Sequence, residues 1–150
     1  MITTVSIDRS YRMRLIKKES FMSIETTQKN HVLVVDDENG PRQALRMLLK
    51  ETYDVHIAEN TVEALEALER YPIGLVVSDI RMPKVSGVDL LKIIKELSED
   101  IQVIMVTGYG ELETAMESVK LGAFAYLEKP FDSQKMLDAV AQGYAKYTRE

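Results

Sequence analysis

The segment Gly74-Leu75-Val76-Val77-Ser78-Asp79-Ile80-Arg81-Met82-Pro83 decides the fold of this chain. Its first five residues are small or apolar and run without interruption into one carboxylate, after which a turn with a proline follows. A short apolar run bounded by turn signals is typical of a buried strand in a parallel sheet. Asp79 then lies at the carboxyl end of that strand, where open α/β sheets bind their ligands. Asp79 is therefore the first candidate for a functional residue.

Four further segments of the chain resemble this strand. They are Val32–Val35, which runs into Asp36-Asp37; Tyr53–Ala58, which alternates; Gln102–Val106, which precedes Thr107-Gly108; and Phe124–Leu127, which precedes Glu128-Lys129-Pro130. Each is short and rich in apolar or β-branched residues, as buried or half-buried strands are. The sequence therefore predicts five strands.

Segments with helical periodicity separate and follow these strands. Gly40-Pro41 is predicted to open the first helix, Asn60 to cap the second, and the third is expected to begin at about Ser86. A weak helix is predicted from about Glu111 to Lys120, ending at Gly122, and the last helix begins at Phe131-Asp132-Ser133. Alternating strands and helices with short connections predict an α/β fold, a doubly wound parallel sheet. For five strands the expected order is the flavodoxin-like 2-1-3-4-5.

Composition restricts the class of protein. The chain has 150 residues, 45% of them hydrophobic and 29% charged, which suits one globular domain. No run approaches the roughly 18 apolar residues of a membrane span. There is no cysteine, which excludes disulfides and thiolate metal sites and is typical of a cytoplasmic protein.

Charge divides the chain into two unequal parts. Residues 1–30 hold six basic and three acidic residues, a net +3, whereas the whole chain carries −5, so residues 31–150 carry −8. We expect residues 1–30 to be a flexible N-terminal extension and residues 31–150 to form the domain. Its acidic body argues against direct binding of nucleic acid.

The predicted strand order brings several polar residues to one edge of the sheet. Strands 1, 3, 4 and 5 are neighbours, so their carboxyl ends should gather Asp36, Asp37, Asp79, Thr107 and Lys129. Carboxylates about 4 Å apart repel by about 4 kcal/mol per pair at an effective dielectric constant of ~20. Such a cluster either holds protons or binds a cation. Carboxylates without Cys or His favour Mg²⁺.

Taken singly, each of these residues also has an ordinary structural interpretation. An Asp at a strand end commonly caps a helix or lies in a solvated turn, and Thr107 can simply end its strand. Lys129 alone is typical of a solvated surface, and Tyr126 is typical of packing at the core. Their expected convergence at one edge favours a shared site.

These residues together resemble the receiver domain of two-component response regulators. The motifs are Asp36-Asp37, Asp79 followed by Pro83 and Gly87, Thr107-Gly108, and Lys129-Pro130-Phe131. The resemblance covers about residues 31–148, and it implies a receiver domain over residues 31–150.

The resemblance implies specific roles at the site. Asp79 would be the phosphoacceptor, taking a phosphoryl group from a phosphohistidine on a sensor histidine kinase or a phosphotransfer protein. Asp37, Asp79 and the backbone carbonyl of Arg81 would bind Mg²⁺ directly, and Asp36 would act mostly through water.

Further residues would read and transmit the modification. Lys129 would pair first with Asp79 and then with the phosphoryl oxygens, and the Lys129-Pro130 bond would be cis. Thr107 would move to hydrogen-bond the phosphoryl group, and Tyr126 would turn inward behind it. The chain would catalyse only its own phosphorylation and dephosphorylation and would not be an enzyme in the usual sense.

The segments 107–110 and 122–127 are most similar to receivers of the nitrogen-regulation type, whose output is an ATPase that activates sigma-54 polymerase. The chain ends at Glu150, just past the last helix, so we expect the output domain or effector to lie outside it. The resemblance also implies a homodimer through the face formed by Glu111–Tyr147.

Three alternatives compete with a phosphorylation switch. A phosphorylation-independent interaction module would keep the fold, but the set of Asp37, Asp79, Thr107 and Lys129 is intact. A hydrolase of the haloacid-dehalogenase type would place two acids, separated by one residue, after a single strand. A flavin carrier needs a phosphate-cradling loop after the first strand, and Asn39-Gly40-Pro41 does not qualify.

Overall fold

A computed structural model describes residues 28–149 of the chain. The expected extension over residues 1–30 therefore lies, except for its last three residues, outside the described part. In residues 28–149 strands and helices alternate strictly: β1 Asn30–Val35, α1 Asn39–Leu49, β2 Tyr53–Ala58, α2 Thr61–Arg70, β3 Ile73–Asp79, α3 Gly87–Leu97, β4 Gln102–Thr107, α4 Leu112–Lys120, β5 Ala125–Glu128 and α5 Ser133–Arg149. Of the helices in this range, none combines the length and the apolar character that crossing a bilayer requires.

The five strands form one parallel sheet in the order β2-β1-β3-β4-β5. This confirms the doubly wound, flavodoxin-like arrangement expected from the sequence. The central strand β3 is buried at all seven positions. Its continuous apolar run is explained by this burial, because helices cover both faces of the sheet and leave no wet side for polar residues.

The two faces of the sheet carry separate cores. On one face α2, α3 and α4 pack against the sheet through residues such as Ala64, Leu91 and Ala115. On the other face α1 and α5 pack through residues such as Leu49 and Met136. Alternate residues of each strand enter opposite cores, as the two-residue period of a strand requires.

Local capping signals fix several helix ends as predicted. The Asn60 side chain accepts a hydrogen bond from Glu63 N at 2.9 Å, and Ser86 Oγ accepts one from Asp89 N at 3.1 Å. Helix α4 ends at Lys120, and Gly122 follows with a φ of 112°, a left-handed conformation that glycine adopts at little cost.

Two details differ from the sequence-based expectation. Strand β5 begins at Ala125, so Phe124, predicted as its first residue, precedes it, although Phe124 N still donates to Val103 O at 2.7 Å. Helical spacing places the apolar Leu97 three residues after the buried Ile94 of α3 and so favours burial, but Leu97 is 65% exposed. It is the last residue of the helix, where the core no longer covers the side chain.

Candidate phosphoacceptor and metal site

Three carboxylates converge at the carboxyl ends of β1 and β3. Asp36, Asp37 and Asp79 each offer one oxygen, and these three oxygens lie within 4.8 Å of one another. Asp36 and Asp79 are buried, with 2% and 8% of their surface exposed, whereas Asp37 is exposed. The predicted convergence is confirmed, and the side chain of Asp79 points toward the other two acids.

The segment after β1 is held in place by a network of hydrogen bonds. Asp36 N donates to Ala58 O on β2 at 3.1 Å, and Asp36 Oδ1 accepts from Glu38 N at 2.9 Å. The buried Arg42 donates from Nη1 to Asp36 O at 2.8 Å and from Nη2 to Asn39 Oδ1 at 2.9 Å. These contacts fix the backbone at Asp36 while its second carboxylate oxygen stays directed at the site.

The backbone after Asp79 is held just as tightly. Ile80 N donates to Val106 O at 3.0 Å, and Gly87 N donates to Ile80 O at 2.8 Å. A Cβ at position 87 would collide with the backbone of Asp79 and Ile80. The glycine in the predicted motif is therefore required by the close approach of two backbone segments directly behind Asp79.

Lys129 places its amine between two of the acids. Its Nζ lies 3.6 Å from Asp79 Oδ1 and 3.8 Å from Asp36 Oδ2, and its side chain is 32% exposed. Lys129 N donates to Thr107 O at 2.8 Å, and the Lys129-Pro130 bond is cis, as the resemblance implied. Both distances exceed the usual length of a hydrogen bond, so the amine compensates charge without being tied to one partner.

The electrostatics of the cluster disfavour the ionised forms of the two buried aspartates, Asp36 and Asp79. Burial, together with the charges of Asp36, Glu111 and Asp37, raises the pKa of Asp79 to about 6 against the opposing effect of Lys129. Burial also raises the pKa of Asp36, although the hydrogen bond from the Glu38 backbone opposes the rise. A nearby cation would therefore relieve the cost of ionising the candidate nucleophile.

The donor set fits a hard divalent cation. When all three acids are ionised, their charges and that of the Lys129 ammonium sum to −2. Each acid offers a carboxylate oxygen, the kind of ligand atom that hard divalent cations prefer. Two of the acids, Asp37 and Asp79, line an open cleft of about 540 Å³ whose walls also include Arg81 and Lys129. A hydrated ion can therefore reach both the exposed Asp37 and the buried Asp79.

Glu111 contacts both Thr107 and Arg81, and the sequence did not identify it as a member of the site. Glu111 is buried, and its Oε2 lies 2.6 Å from the Arg81 Nε. Its Oε1 accepts from Gly108 N at 2.7 Å and from the fully buried Thr107 Oγ1 at 3.4 Å. The Thr107 hydroxyl thus has two acceptors within reach, Gly108 O at 3.3 Å and Glu111 Oε1.

The sequence pattern marks Glu111 only as the start of a weak helix. The available signal was an acid directly after Gly108-Tyr109-Gly110, a segment flexible enough to let its side chain fold back. The exposed Arg81 side chain reaches the Glu111 carboxylate. Arg81, two residues after Asp79, and Glu111, four residues after Thr107, therefore form an ion pair.

Tyr126, on β5, is half-buried and packs against the core formed with α2, α3 and α4. Its predicted inward rotation stays a prediction.

Comparisons with known proteins agree with this architecture. The family model described as "Response regulator receiver domain" matches residues 32–141. The transcriptional regulatory protein FixJ of Bradyrhizobium diazoefficiens is 37% identical over 111 residues, which cover 73% of this chain and 54% of FixJ. Sporulation initiation phosphotransferase F of Bacillus subtilis is 39% identical over 110 residues, which cover 73% of this chain and 89% of that protein.

Relatives of the nitrogen-regulation type are also found. The DNA-binding transcriptional regulator NtrC of Proteus hauseri is 36% identical over 124 residues, 82% of this chain and 26% of NtrC. A solved receiver-domain protein from Clostridium thermocellum superposes with a TM-score of 0.76 at 34% identity, covering 79% of this chain and 97% of the other. The chain thus spans about half of FixJ and about a quarter of NtrC.

Proposed function

The chain belongs to the response regulator receiver domain family, and from that premise we propose that it is a switch controlled by phosphorylation of Asp79. Receiver domains of response regulators interact with histidine kinases and with output domains. The observation that carries the proposal is the cluster itself: Asp79 lies with its carboxylate within 4.8 Å of Asp36 and Asp37 and 3.6 Å from the Lys129 amine.

The proposed reaction is a phosphoryl transfer from nitrogen to oxygen. A carboxylate oxygen of Asp79 forms the new P–O bond while the P–N bond to the imidazole of a partner's phosphohistidine breaks. The electron pair of the broken bond leaves with the imidazole, and Asp79 becomes an acyl phosphate. Transfer of this kind depends mainly on positioning and on neutralising charge on the phosphoryl oxygens.

Mg²⁺ is the proposed cofactor. Asp37 and Asp79 would hold it with the Arg81 carbonyl, and Asp36 would act through water. When bound, the ion supplies positive charge to the phosphoryl oxygens and relieves the repulsion among the acids. The raised pKa of Asp79 supports this assignment, since the burial and acidic neighbours that raise it are what a cation would offset.

Three residues are proposed to read and transmit the modification. Lys129 already lies near both buried acids and would pair with a phosphoryl oxygen in place of the lost Asp79 charge. The Thr107 hydroxyl would turn from Glu111 toward the phosphoryl group, and Tyr126 would rotate behind it. These movements would change the surface from Glu111 onward.

The surface of α4 is suited to a partner or to a second copy of the chain. It exposes apolar side chains, including Leu112, Met116 and Val119, each between 43% and 51% exposed. This supports the proposed homodimer through the face of Glu111–Tyr147, and equally the contact with an output domain or effector. We do not assign nucleic-acid binding to this acidic domain, and we propose that it turns over no separate substrate.

An experiment that separates the switch from its alternatives is phosphorylation by a small-molecule donor, read by intact mass. Wild type with Mg²⁺ and acetyl phosphate should gain one phosphoryl group, and chelation of the metal should suppress the gain. Asp79→Asn should gain none, while Asp89→Asn, an exposed Asp on α3, should behave as wild type.

Other outcomes identify the competitors. Failure of wild type to form any adduct would support the phosphorylation-independent interaction module. Steady release of phosphate with many turnovers would support a hydrolase. An adduct that persists in Asp79→Asn would show that another residue accepts the group and would overturn the proposal.

A further inference from the structure

A second cluster of metal-ligating side chains lies near the opposite end of the sheet. His31 on β1 pairs in register with Asp54 on β2, and Leu33 pairs with His56. Asp54 and His56 are two residues apart, so the three polar side chains project from the same face of the sheet. His31 is five residues before Asp36, a separation of about 16 Å along an extended strand, so the two sites are distinct.

The ligand atoms of this cluster are already close together. His31 Nδ1 lies 2.9 Å from His56 Nε2 and 3.7 Å from Asp54 Oδ2, and the three ligand atoms all lie within 4.8 Å of one another. The two imidazole planes differ by 4°, with ring centroids 5.1 Å apart. Two ring nitrogens therefore face each other nearly in one plane, with the carboxylate beside them.

Neighbouring aromatic residues hold both histidines in position. The Tyr71 ring lies against His56, with centroids 3.9 Å apart and planes 20° apart. The backbone of His31 is fixed from the other side of the sheet, because Tyr144 donates its hydroxyl to His31 O at 2.6 Å. The two histidine side chains are thus brought together before anything binds.

We propose that His31, Asp54 and His56 form a binding site for one divalent transition-metal ion of the Zn²⁺ class. Two imidazole nitrogens and one carboxylate oxygen are a common ligand set for zinc. Nitrogens bound at about 2.0–2.1 Å to a tetrahedral ion lie about 3.3 Å apart, so the ion would replace the proton that His31 and His56 share in a hydrogen bond of 2.9 Å, and each ring would turn to aim its lone pair at the ion. Asp54, with 55% of its side chain exposed, can move to complete the set.

The cluster adjoins open space at His56. A cleft of about 370 Å³ opens beside His56 and is lined by Glu63 and Glu66 of α2. Three protein ligands with an open fourth position would leave one water on the ion.

The composition of the chain makes the site selective. The sequence contains no cysteine and two histidines, and both histidines belong to this cluster. Imidazole suits zinc, nickel and copper, whereas the all-oxygen acidic site suits Mg²⁺. Each ion therefore has a different preferred place, and the bound transition metal would join β1 to the edge strand β2.

The test is a calorimetric titration of the full chain with Zn²⁺ alone, after removal of any purification tag and with Mg²⁺ in excess. Wild type should bind one Zn²⁺ per chain. His56→Gln and Asp54→Asn should each weaken the affinity, His56→Gln by at least about tenfold because it removes a direct ligand. Asp37→Asn is the matched control: it alters the acidic site and should keep the affinity within about twofold.

Thermal unfolding with and without Zn²⁺ separates loss of the site from loss of the fold. Zn²⁺ should raise the unfolding temperature of wild type and of Asp37→Asn and should leave that of His56→Gln unchanged. Asp54 is exposed, so Asp54→Asn should fold as wild type does even if His56→Gln is destabilised. The proposal is overturned if wild type binds no Zn²⁺, if both cluster variants bind as wild type does, or if Asp37→Asn loses the affinity.

Discussion

The buried polar groups at the two ends of the sheet differ in whether they find partners within the chain. At the amino end, Tyr144 from α5 donates its hydroxyl to His31 O at 2.6 Å and accepts from Gly74 N at 3.1 Å. At the carboxyl end, Asp36 and Asp79 are buried beside a lysine whose amine stays 3.6–3.8 Å from each. The first end has its hydrogen bonds completed within the chain, whereas the second leaves charge uncompensated.

This difference shows that the carboxyl end of the sheet is the part of the fold that can respond to a cation or to a chemical modification. Interactions completed within the chain stabilise the native state in every condition. Acids held together against their repulsion lower stability until a cation or a chemical modification changes their charge. Removing a side chain should therefore have opposite effects on stability at the two ends.

The largest expected effect is the loss of coupling in Lys129→Ala. Asp79 should still accept a phosphoryl group, because the nucleophile and the acidic ligands remain. The phosphorylated variant should fail to change its partner binding or dimerisation, because it has no Lys129 amine to pair with a phosphoryl oxygen. Light scattering on the protein before and after phosphorylation measures this directly.

Lys92→Ala provides the control for that experiment, since Lys92 is an exposed lysine on α3 and lies outside the proposed dimer face. It should respond to phosphorylation as wild type does. A Lys129→Ala variant that changes its association state as fully as wild type would show that the signal leaves the site by another route.

The next largest effect is a gain of stability in Asp79→Asn without metal. Asp79 has a folded-state pKa of about 6 against an ordinary value of 3.8, so folding disfavours its charged form. From about pH 4 to about pH 6 the folded state binds more protons than the unfolded state, and stability falls as pH rises. Above about pH 6 the full penalty of about 3 kcal/mol applies, and Asn removes it.

Urea unfolding at several pH values, with Mg²⁺ chelated, tests this result. Asp79→Asn should be more stable than wild type by about 2–3 kcal/mol above pH ~6.5, and the gain should vanish below pH ~4. Asp100→Asn, in an exposed turn, should follow wild type throughout. A gain that is the same at all pH values would mean that ionisation of Asp79 is not its cause.

At the other end of the sheet, Tyr144→Phe should reduce stability by about 1–2 kcal/mol. The substitution leaves the Gly74 N–H and the His31 carbonyl without their shared partner while keeping the ring in place. Tyr147→Phe, on the last turns of the same helix, should change stability by less than about 0.5 kcal/mol. Equal unfolding free energies for Tyr144→Phe and Tyr147→Phe would show that the Tyr144 hydrogen bonds do not stabilise the amino end of the sheet, and the proposed contrast with the carboxyl end would fail.

The smallest expected effect concerns Glu111. Its charge raises the pKa of Asp79, so Glu111→Gln should lower that pKa while Gln keeps an acceptor for Gly108 N. Carbon NMR of the Asp79 carboxyl during a pH titration of the metal-free protein measures the shift. Glu113→Gln, an exposed acid on the first turn of α4, should leave the titration unchanged. An unchanged or raised Asp79 pKa in Glu111→Gln would contradict this account.

The fold was predictable because local patterns and global burial agree. A strand covered on both faces must be apolar throughout, which makes β3 visible in the sequence. Caps such as Asn60 are read from neighbouring residues. The strand order then follows from chain connectivity, and it brings Asp36, Asp79 and Lys129 together without further information.

Contacts between distant residues were not predictable in the same way. Tyr144 bonds to His31 across 113 positions and to Gly74 across 70, and no local pattern marks those partners. Glu111 looked like an ordinary helix start because its backward turn depends on the position of Arg81. The exposure of Leu97 likewise depends on where the core ends rather than on helical spacing.

The most direct test of the central claim is to locate the phosphoryl group on the chain. Wild type is phosphorylated with acetyl phosphate and Mg²⁺, reduced with borohydride to trap any acyl phosphate, and mapped by peptide mass spectrometry. The account predicts a single reduced position at Asp79, with Asp36 and Asp37 unmodified. Reduction at Asp36 or Asp37, or a phosphoryl group carried by His31 or His56, would contradict it.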